Sequence, residues 1–306
     1  MKLTNDYILA LLSTEGKFSC LKSAENIEKV SHDKLTRFLS FLDKKPEIDI
    51  ENLPKGGKII VDDTSLSKIY AKSIEGIRYV YCSTLNKSIK GYTVIKIIYV
   101  HGNNIYNLED IIWDKQEGTK NEIVRKKLKE YYEGGLEPEI VLFDLWYGAK
   151  ETFNLLHDFN WKYLCLSRKN RHLNGKRVDE QKYYGGKSLY GKARGICHIV
   201  QVAKHGKRYI ITNLEEPIMS HTGWMRYTQR WIIETIFRDL KSFLHFEQCE
   251  ARTLKAQKNH IQACMDAYLF LKKKYPDKSI EASLRDFLQN FYMKKYTNHD
   301  VFELVA

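Results

Sequence analysis

The chain has 306 residues, 43% of them hydrophobic and 12% aromatic, enough to bury a sizeable core and to exclude an intrinsically disordered polymer. Its formal net charge of +12 points to an anionic partner such as DNA, and 13 Lys and Arg against only Asp179 and Glu180 between residues 161 and 213 place nearly all of that excess in one segment. No run of about 18 apolar residues exists to span a bilayer and the first residues lack a basic-then-apolar leader, so a cytoplasmic location is expected. The 6 cysteines are scattered without a Cys-x2-Cys pair and indicate neither a zinc knuckle nor a disulfide framework.

Residues 4 to 43 read as three short helices, the last two over Ser19 to Lys29 and His32 to Leu42, with Ser31 placed to cap the third. Helices so close in sequence suit a helix-turn-helix or a small bundle that covers the core, and the pattern does not separate the two. Pro46 to Gly57 reads as a linker. From Lys58 β-branched and aromatic residues predict strands over Lys58 to Asp62, Tyr79 to Thr84, Thr93 to His101 and Ile105 to Trp113. A charged helix over Lys120 to Tyr132 stops at Gly134-Gly135, and the apolar run Glu139 to Asp144 suits a buried central strand. A helix over Ala149 to Phe159 and a strand over Lys162 to Ser167 follow.

Three strands, a helix, a strand, a helix and a strand is the order of an RNase H-like α/β core. The basic segment then interrupts it as a β-rich insertion, with strands over Ile196 to Ala203 and Arg208 to Thr212. Helices resume from about residue 220, with an apolar helix near His260 to Lys273 and another over Ile280 to Lys294. The expected division is a helical DNA-binding region over 1–57, the first part of the core over 58–167, the basic insertion over 168–218 and the helical remainder over 219–306.

Three segments carry chemistry. The strand Lys58-Ile-Ile-Val ends in Asp62-Asp63-Thr64-Ser65, and carboxylates there are costly unless solvated, paired or metal-bound. Ile140-Val-Leu-Phe ends in Asp144-Leu-Trp146-Tyr147, at the strand end where open α/β sheets build their sites. In the third segment Tyr227, Arg230, Glu234 and Lys241 follow at steps of three, four and seven. With Tyr227 at zero on a helical wheel, Arg230, Glu234 and Lys241 fall at roughly 300°, 340° and 320°, one acid flanked by two cations and a phenol. An adjoining arc carries Ile232, Ile233, Ile236, Phe237, Leu240, Phe243 and Leu244, a stripe fit to pack on a core. Each segment alone suits ordinary strand-end acids or an amphipathic surface helix.

Together they resemble DDE transposases of bacterial insertion-sequence family four, with its Tyr-x2-Arg-x3-Glu-x6-Lys signature. The resemblance covers roughly residues 58 to 245 and includes Asp-Asp-Thr-Ser, a turn at Lys90-Gly91-Tyr92 and Asp-x-Trp-Tyr. It implies a retroviral-integrase-like core whose catalytic, metal-holding acids are Asp62, Asp144 and Glu234, with Asp63 competing for the first place. It implies Mg²⁺ or Mn²⁺, two ions in all, since hard carboxylate oxygens suit such cations and a pair of them serves in-line phosphoryl transfer.

The same resemblance implies that Tyr227, Arg230, Trp231 and Lys241 meet DNA, the cations on phosphates and Trp231 against an extruded base if a hairpin forms. For Trp224, Tyr183 and Tyr184 internal packing is the expected role. The partners implied are double-stranded DNA, both terminal inverted repeats and target, and a second copy of the chain on that DNA, in a bacterial or archaeal cytoplasm at the nucleoid. A nuclease or resolvase that cuts without joining, and a decayed transposase that only binds, are the alternatives.

Overall fold

The computed structural model describes residues 2–27, 30–41, 48–71, 73–82, 85–297 and 299–305. The predicted helix ends at Lys29 and Leu42, the start of the linker at Pro46 and the strand end at Thr84 lie outside them.

Three helices open the chain: α1 (Lys2–Ser13), α2 (Cys20–Asn26), whose first turn is capped by Ser19, and α3 (His32–Phe41). The sheet begins with β1 (Lys58–Ser67), β2 (Arg78–Cys82), β3 (Lys87–His101) and β4 (Asn104–Ile112). Helix α4 (Lys120–Glu133) follows, started by a capping box in which Thr119 and Glu122 satisfy each other's backbone donors. Then come β5 (Ile140–Phe143), α5 (Lys150–Asp158) and β6 (Tyr163–Ser167).

β1, β5 and β6 run parallel side by side within a mixed α/β sheet, in the strand and helix order that the sequence predicts. Strand β1 is longer than expected. It does not stop at Asp62, because β3 pairs with it from Lys58↔Val100 through to Ser67↔Gly91. Gly91 is therefore a strand residue and not part of a turn: a Cβ there would sit 1.9 Å from the Leu66 carbonyl oxygen, so only glycine permits the approach.

The basic segment forms a small ribbon, β7 (His172–Leu173) with β8 (Lys176–Arg177), and then β9 (Leu189–Lys192), β10 (Ile199–His205) and β11 (Arg208–Thr212). The last three extend the main sheet, in the order β2-β3-β1-β5-β6-β11-β10-β9, with β11 antiparallel to β6. The basic segment is thus continuous with the main sheet, because Tyr209 to Thr212 satisfy the open backbone edge of β6.

Helices α6 (Ser220–Thr228), α7 (Trp231–Phe243), α8 (Leu254–Lys274) and α9 (Ile280–Tyr296) complete the chain. One face of the sheet packs on α4 and α5 through residues such as Val61, Val124, Phe143 and Phe153. The other packs on α7, α8 and α9 through Ile60, Leu66, Ile233, Ile236, Leu240 and Phe287. Tyr7, Leu11, Leu35 and Phe38 of α1 and α3 belong to that second core, so these two helices are sealed onto α8 and α2 packs on both of them. Tyr7 stacks on Phe38 at 4.4 Å and reaches His260 Nδ1 of α8 at 2.9 Å. Among the described residues no helix is long and apolar enough to cross a membrane.

Candidate active site

Parallel pairing of β1 with β5 sets Val61 opposite Phe143, so the next residue of each strand, Asp62 and Asp144, emerges at the same carboxyl end of the sheet. Side chains alternate along β1. Ile60 and Leu66 lie in the core under α7, while Ile59 and Val61 lie in the core under α4 and α5. Asp62 shares the first face and Asp63 the second.

The two neighbouring acids therefore have different partners. Asp63 accepts hydrogen bonds from Lys120 Nζ at 2.9 and 3.0 Å and from the Tyr147 hydroxyl at 2.7 Å. It is fully engaged on the α4 side, and Lys120 in turn lies 4.8 Å from the Trp146 ring. Asp62 faces α7 and accepts from the Arg230 guanidinium. Burial pushes the Asp62 carboxyl up to about 7 in spite of that cation, and the charge of Asp144 adds to the rise. Burial also raises the Asp144 carboxyl, against a 2.8 Å hydrogen bond that its Oδ1 accepts from the Trp146 amide.

The signature segment is not one continuous helix. Helix α6 ends at Thr228, a turn occupies Gln229 and Arg230, and α7 starts at Trp231. The amides of Arg230, Ile232 and Ile233 each bond the carbonyl three residues back, at 3.0, 3.4 and 3.1 Å, which tightens the chain there. This turn moves Tyr227 off the polar face that a regular wheel predicts. Its ring is buried, and its hydroxyl accepts from Arg230 Nε at 3.1 Å.

Arg230 is itself buried, and its remaining nitrogens donate to Asp62 and, one turn along α7, to Glu234. The guanidinium thus bridges the first acid to the third. Glu234 is the open member, with 51% of its side chain exposed. Lys241 donates to the Ser65 carbonyl at 2.7 Å, and Glu247 accepts from the Ser67 amide at 2.8 Å. These contacts clip the end of α7 to β1, which fixes the depth at which Glu234 meets the strand ends.

Trp231 is 45% exposed and makes a T-shaped contact with Trp224, with ring centroids 6.2 Å apart. Trp224 is partly covered, stacked on His205 at 5.0 Å with Arg208 above it at 5.0 Å. Tyr183 packs toward Tyr209, whereas Tyr184 is exposed.

Among the described residues no three His, Cys, Asp or Glu side chains are gathered closely enough to hold a metal ion. The donor set nevertheless fits a hard cation. Two carboxylates at adjacent strand ends are held above their ordinary titration range by burial, a strain that a nearby positive charge relieves, and Arg230 is the cation that answers Asp62 here. Sequence reading gave the i,i+4 pair of Arg230 with Glu234 but not the reach of Arg230 to Asp62, nor the roles of Lys120 and Tyr147 around Asp63. Only the Asp-x-x-Tyr spacing after β5 hinted at Tyr147.

Residues 54–270 match the family model described as transposase DDE domain. The chain belongs to this transposase family. Its fold is similar to that of a solved piggyBac transposase synaptic complex with hairpin DNA, with a TM-score of 0.57 at 11% identity over 92% of this chain and 68% of that one. The Drosophila P element transposase in its strand transfer complex aligns with a TM-score of 0.33 at 12% identity over 94% of this chain and 64% of that one. No curated protein matches by sequence. The enzyme is a DDE transposase, and its strand-end acids and signature segment lie inside the matched residues.

Proposed function

We propose that this transposase cleaves DNA at the ends of its own element and joins the freed 3′ ends to target DNA, with Asp62, Asp144 and Glu234 as the catalytic acids. The observation that carries the reading is the convergence of Asp62 and Asp144 at one sheet edge, with Glu234 of α7 tied to Asp62 through Arg230. Asp63 is the weaker candidate, since Lys120 and Tyr147 hold it on the opposite face. The Tyr-Arg-Glu-Lys segment supports placement in insertion-sequence family four, and the piggyBac transposase of similar fold is a synaptic complex with hairpin DNA.

Asp62 and Asp144 would hold Mg²⁺ or Mn²⁺ with Glu234, and a pair of such ions supplies activation of a nucleophilic oxygen and charge stabilisation at the phosphorus. The protein's own residues do the positioning. Arg230 partly offsets the burial of Asp62 and keeps Glu234 aimed at the strand ends, and it is the nearest fork-shaped donor for a phosphate once the acids have another cation. Lys241 holds α7 against β1. Trp231, exposed at the start of α7, presents a ring face on which an unstacked base can rest. A second copy is proposed on the DNA because two ends must be joined in concert.

Joining separates this reading from a nuclease that only cuts. A duplex ending in a 3′-hydroxyl at the element terminus, supplied with supercoiled plasmid and Mg²⁺ or Mn²⁺, is expected to yield covalently joined product. Cutting of flanked ends with no joined product in either metal would leave the nuclease reading.

A further inference from the structure

The carboxyl edge of the sheet continues past Asp144. β6 runs parallel to β5, so its end at Ser167 and the following Arg168 and Lys169 share the edge with the acids. β11 is antiparallel to β6 with Tyr209 opposite Ser167, which returns Lys207 and Arg208 to that edge. A cavity of about 630 Å³ opens there, lined by Leu145, Arg168, Lys169, Arg177, Lys207 and Arg208. Leu145 directly follows Asp144 in the chain.

The charge of this cavity is answered only in part, by Asp179, whose carboxyl is lowered by its hydrogen bond from Arg177 and also by the charge of Lys169. Arg177 is committed to Asp179, at 2.7 Å. Among the described residues Arg168, Lys169, Lys207 and Arg208 form no ion pair, and all four are exposed. Arg208 lies over Trp224, which meets Trp231 at the head of α7, so the cavity is joined by a ring contact to the signature segment. Along the edge the order is β1 with Arg230 and Glu234 above it, then β5 with Asp144, then β6 and β11 with the cavity.

Two strand spacings separate Asp144 from Arg208, about 10 Å, which matches roughly three nucleotide steps along a duplex axis. A strand whose scissile phosphate rests at the acids therefore reaches the cavity within a few nucleotides. Arg230 and Glu234 stand on the β1 side of that phosphate, and the cavity lies on the β6 side with Trp231 and Trp224 between them.

We propose that this cavity binds the phosphodiester backbone of the DNA that lies outside the element, just beyond the cleavage point. The assignment rests on the transposase reading above. Its chemistry is that of exposed Arg and Lys outnumbering the acids beside them, which contact phosphates and position the duplex without reading its sequence.

The test is binding, in the absence of divalent metal, of two duplexes carrying the element's own terminal repeat, one flush at the cleavage point and one continuing into flanking DNA. The unaltered protein is expected to bind the flanked duplex more tightly. The double variant Lys169→Gln/Lys207→Gln, whose two side chains are exposed and tied to no partner the fold needs, should keep the unaltered thermal midpoint. It should lose that difference, and its log–log salt slope on the flanked duplex should fall by about 1 to 2 while the flush duplex is unaffected. Equal loss on both duplexes, or no loss on the flanked one, would overturn the assignment. No binding of either duplex by the unaltered protein would overturn the transposase reading itself.

Discussion

Arg230 donates to the carboxylate of Asp62, a residue 168 positions earlier in the chain, and so joins the turn before α7 to the end of β1. The same guanidinium holds Glu234. Arg230 therefore does two jobs: it offsets the charge of a buried acid and it sets the aim of an exposed one.

Replacing Arg230 by Gln should lower stability by on the order of 3 kcal/mol, because it leaves Asp62 buried without its charge partner. It should also remove a competitor for the carboxylates. Added Mn²⁺ is expected to raise the thermal midpoint of Arg230→Gln by more than it raises that of the unaltered protein, since bound ligand stabilises in proportion to its occupancy of the folded state. A smaller shift in the variant would mean that the guanidinium does not occupy the position the cation needs.

The folded-state pKa of Asp62, about 7, lies above its ordinary value of 3.8, so its contribution to stability is fully present below about pH 4 and is lost as pH rises through 7. In metal-free buffer the unaltered protein should accordingly lose on the order of 1–3 kcal/mol relative to Asp62→Asn between pH 5 and pH 7. Denaturant melts of both proteins at the two pH values measure this. Parallel behaviour would show that Asp62 stays ionised throughout.

Lys96 and Asp110 form a salt bridge across β3 and its outer neighbour β4, with side chains 0% and 4% exposed. Lys96 also donates to Asn107 at 3.1 Å, and it stands opposite Asp62 in the β1–β3 register. Asp110→Asn should cost about 3–5 kcal/mol, because it strands a buried ammonium. Lys96→Met with Asp110→Leu should recover much of that loss. Additive losses in the double variant would argue against the pair acting as a unit.

Much of this arrangement was legible in the sequence, for identifiable reasons. Short apolar runs ending in Asp62 and Asp144 are strongly patterned, and the parallel strands they predict are the ones that pair. The stripe Ile233, Ile236, Phe237 and Leu240 does bury α7 against the sheet. Tertiary detail was hidden. Hydrophobic periodicity does not register a two-residue turn, so the break at Gln229–Arg230 and the burial of Tyr227 were missed. The choice between Asp62 and Asp63 depends on which face of β1 meets α7, and that is fixed by the alternation of Ile60 and Leu66 with Ile59 and Val61 between two cores. A local motif could not supply it. Lys120 likewise reaches Asp63 from a helix 57 residues away.

The most direct test of the central claim is cleavage of a duplex carrying the element's own terminal repeat, with Mg²⁺ or Mn²⁺, by the unaltered protein and by Asp62→Asn, Asp63→Asn, Asp144→Asn and Glu234→Gln. Strand-specific cutting at the end should be lost in Asp62→Asn, Asp144→Asn and Glu234→Gln, and retained in Asp63→Asn. Cutting that survives Glu234→Gln, or that is lost in Asp63→Asn and kept in Asp62→Asn, would contradict the site described here.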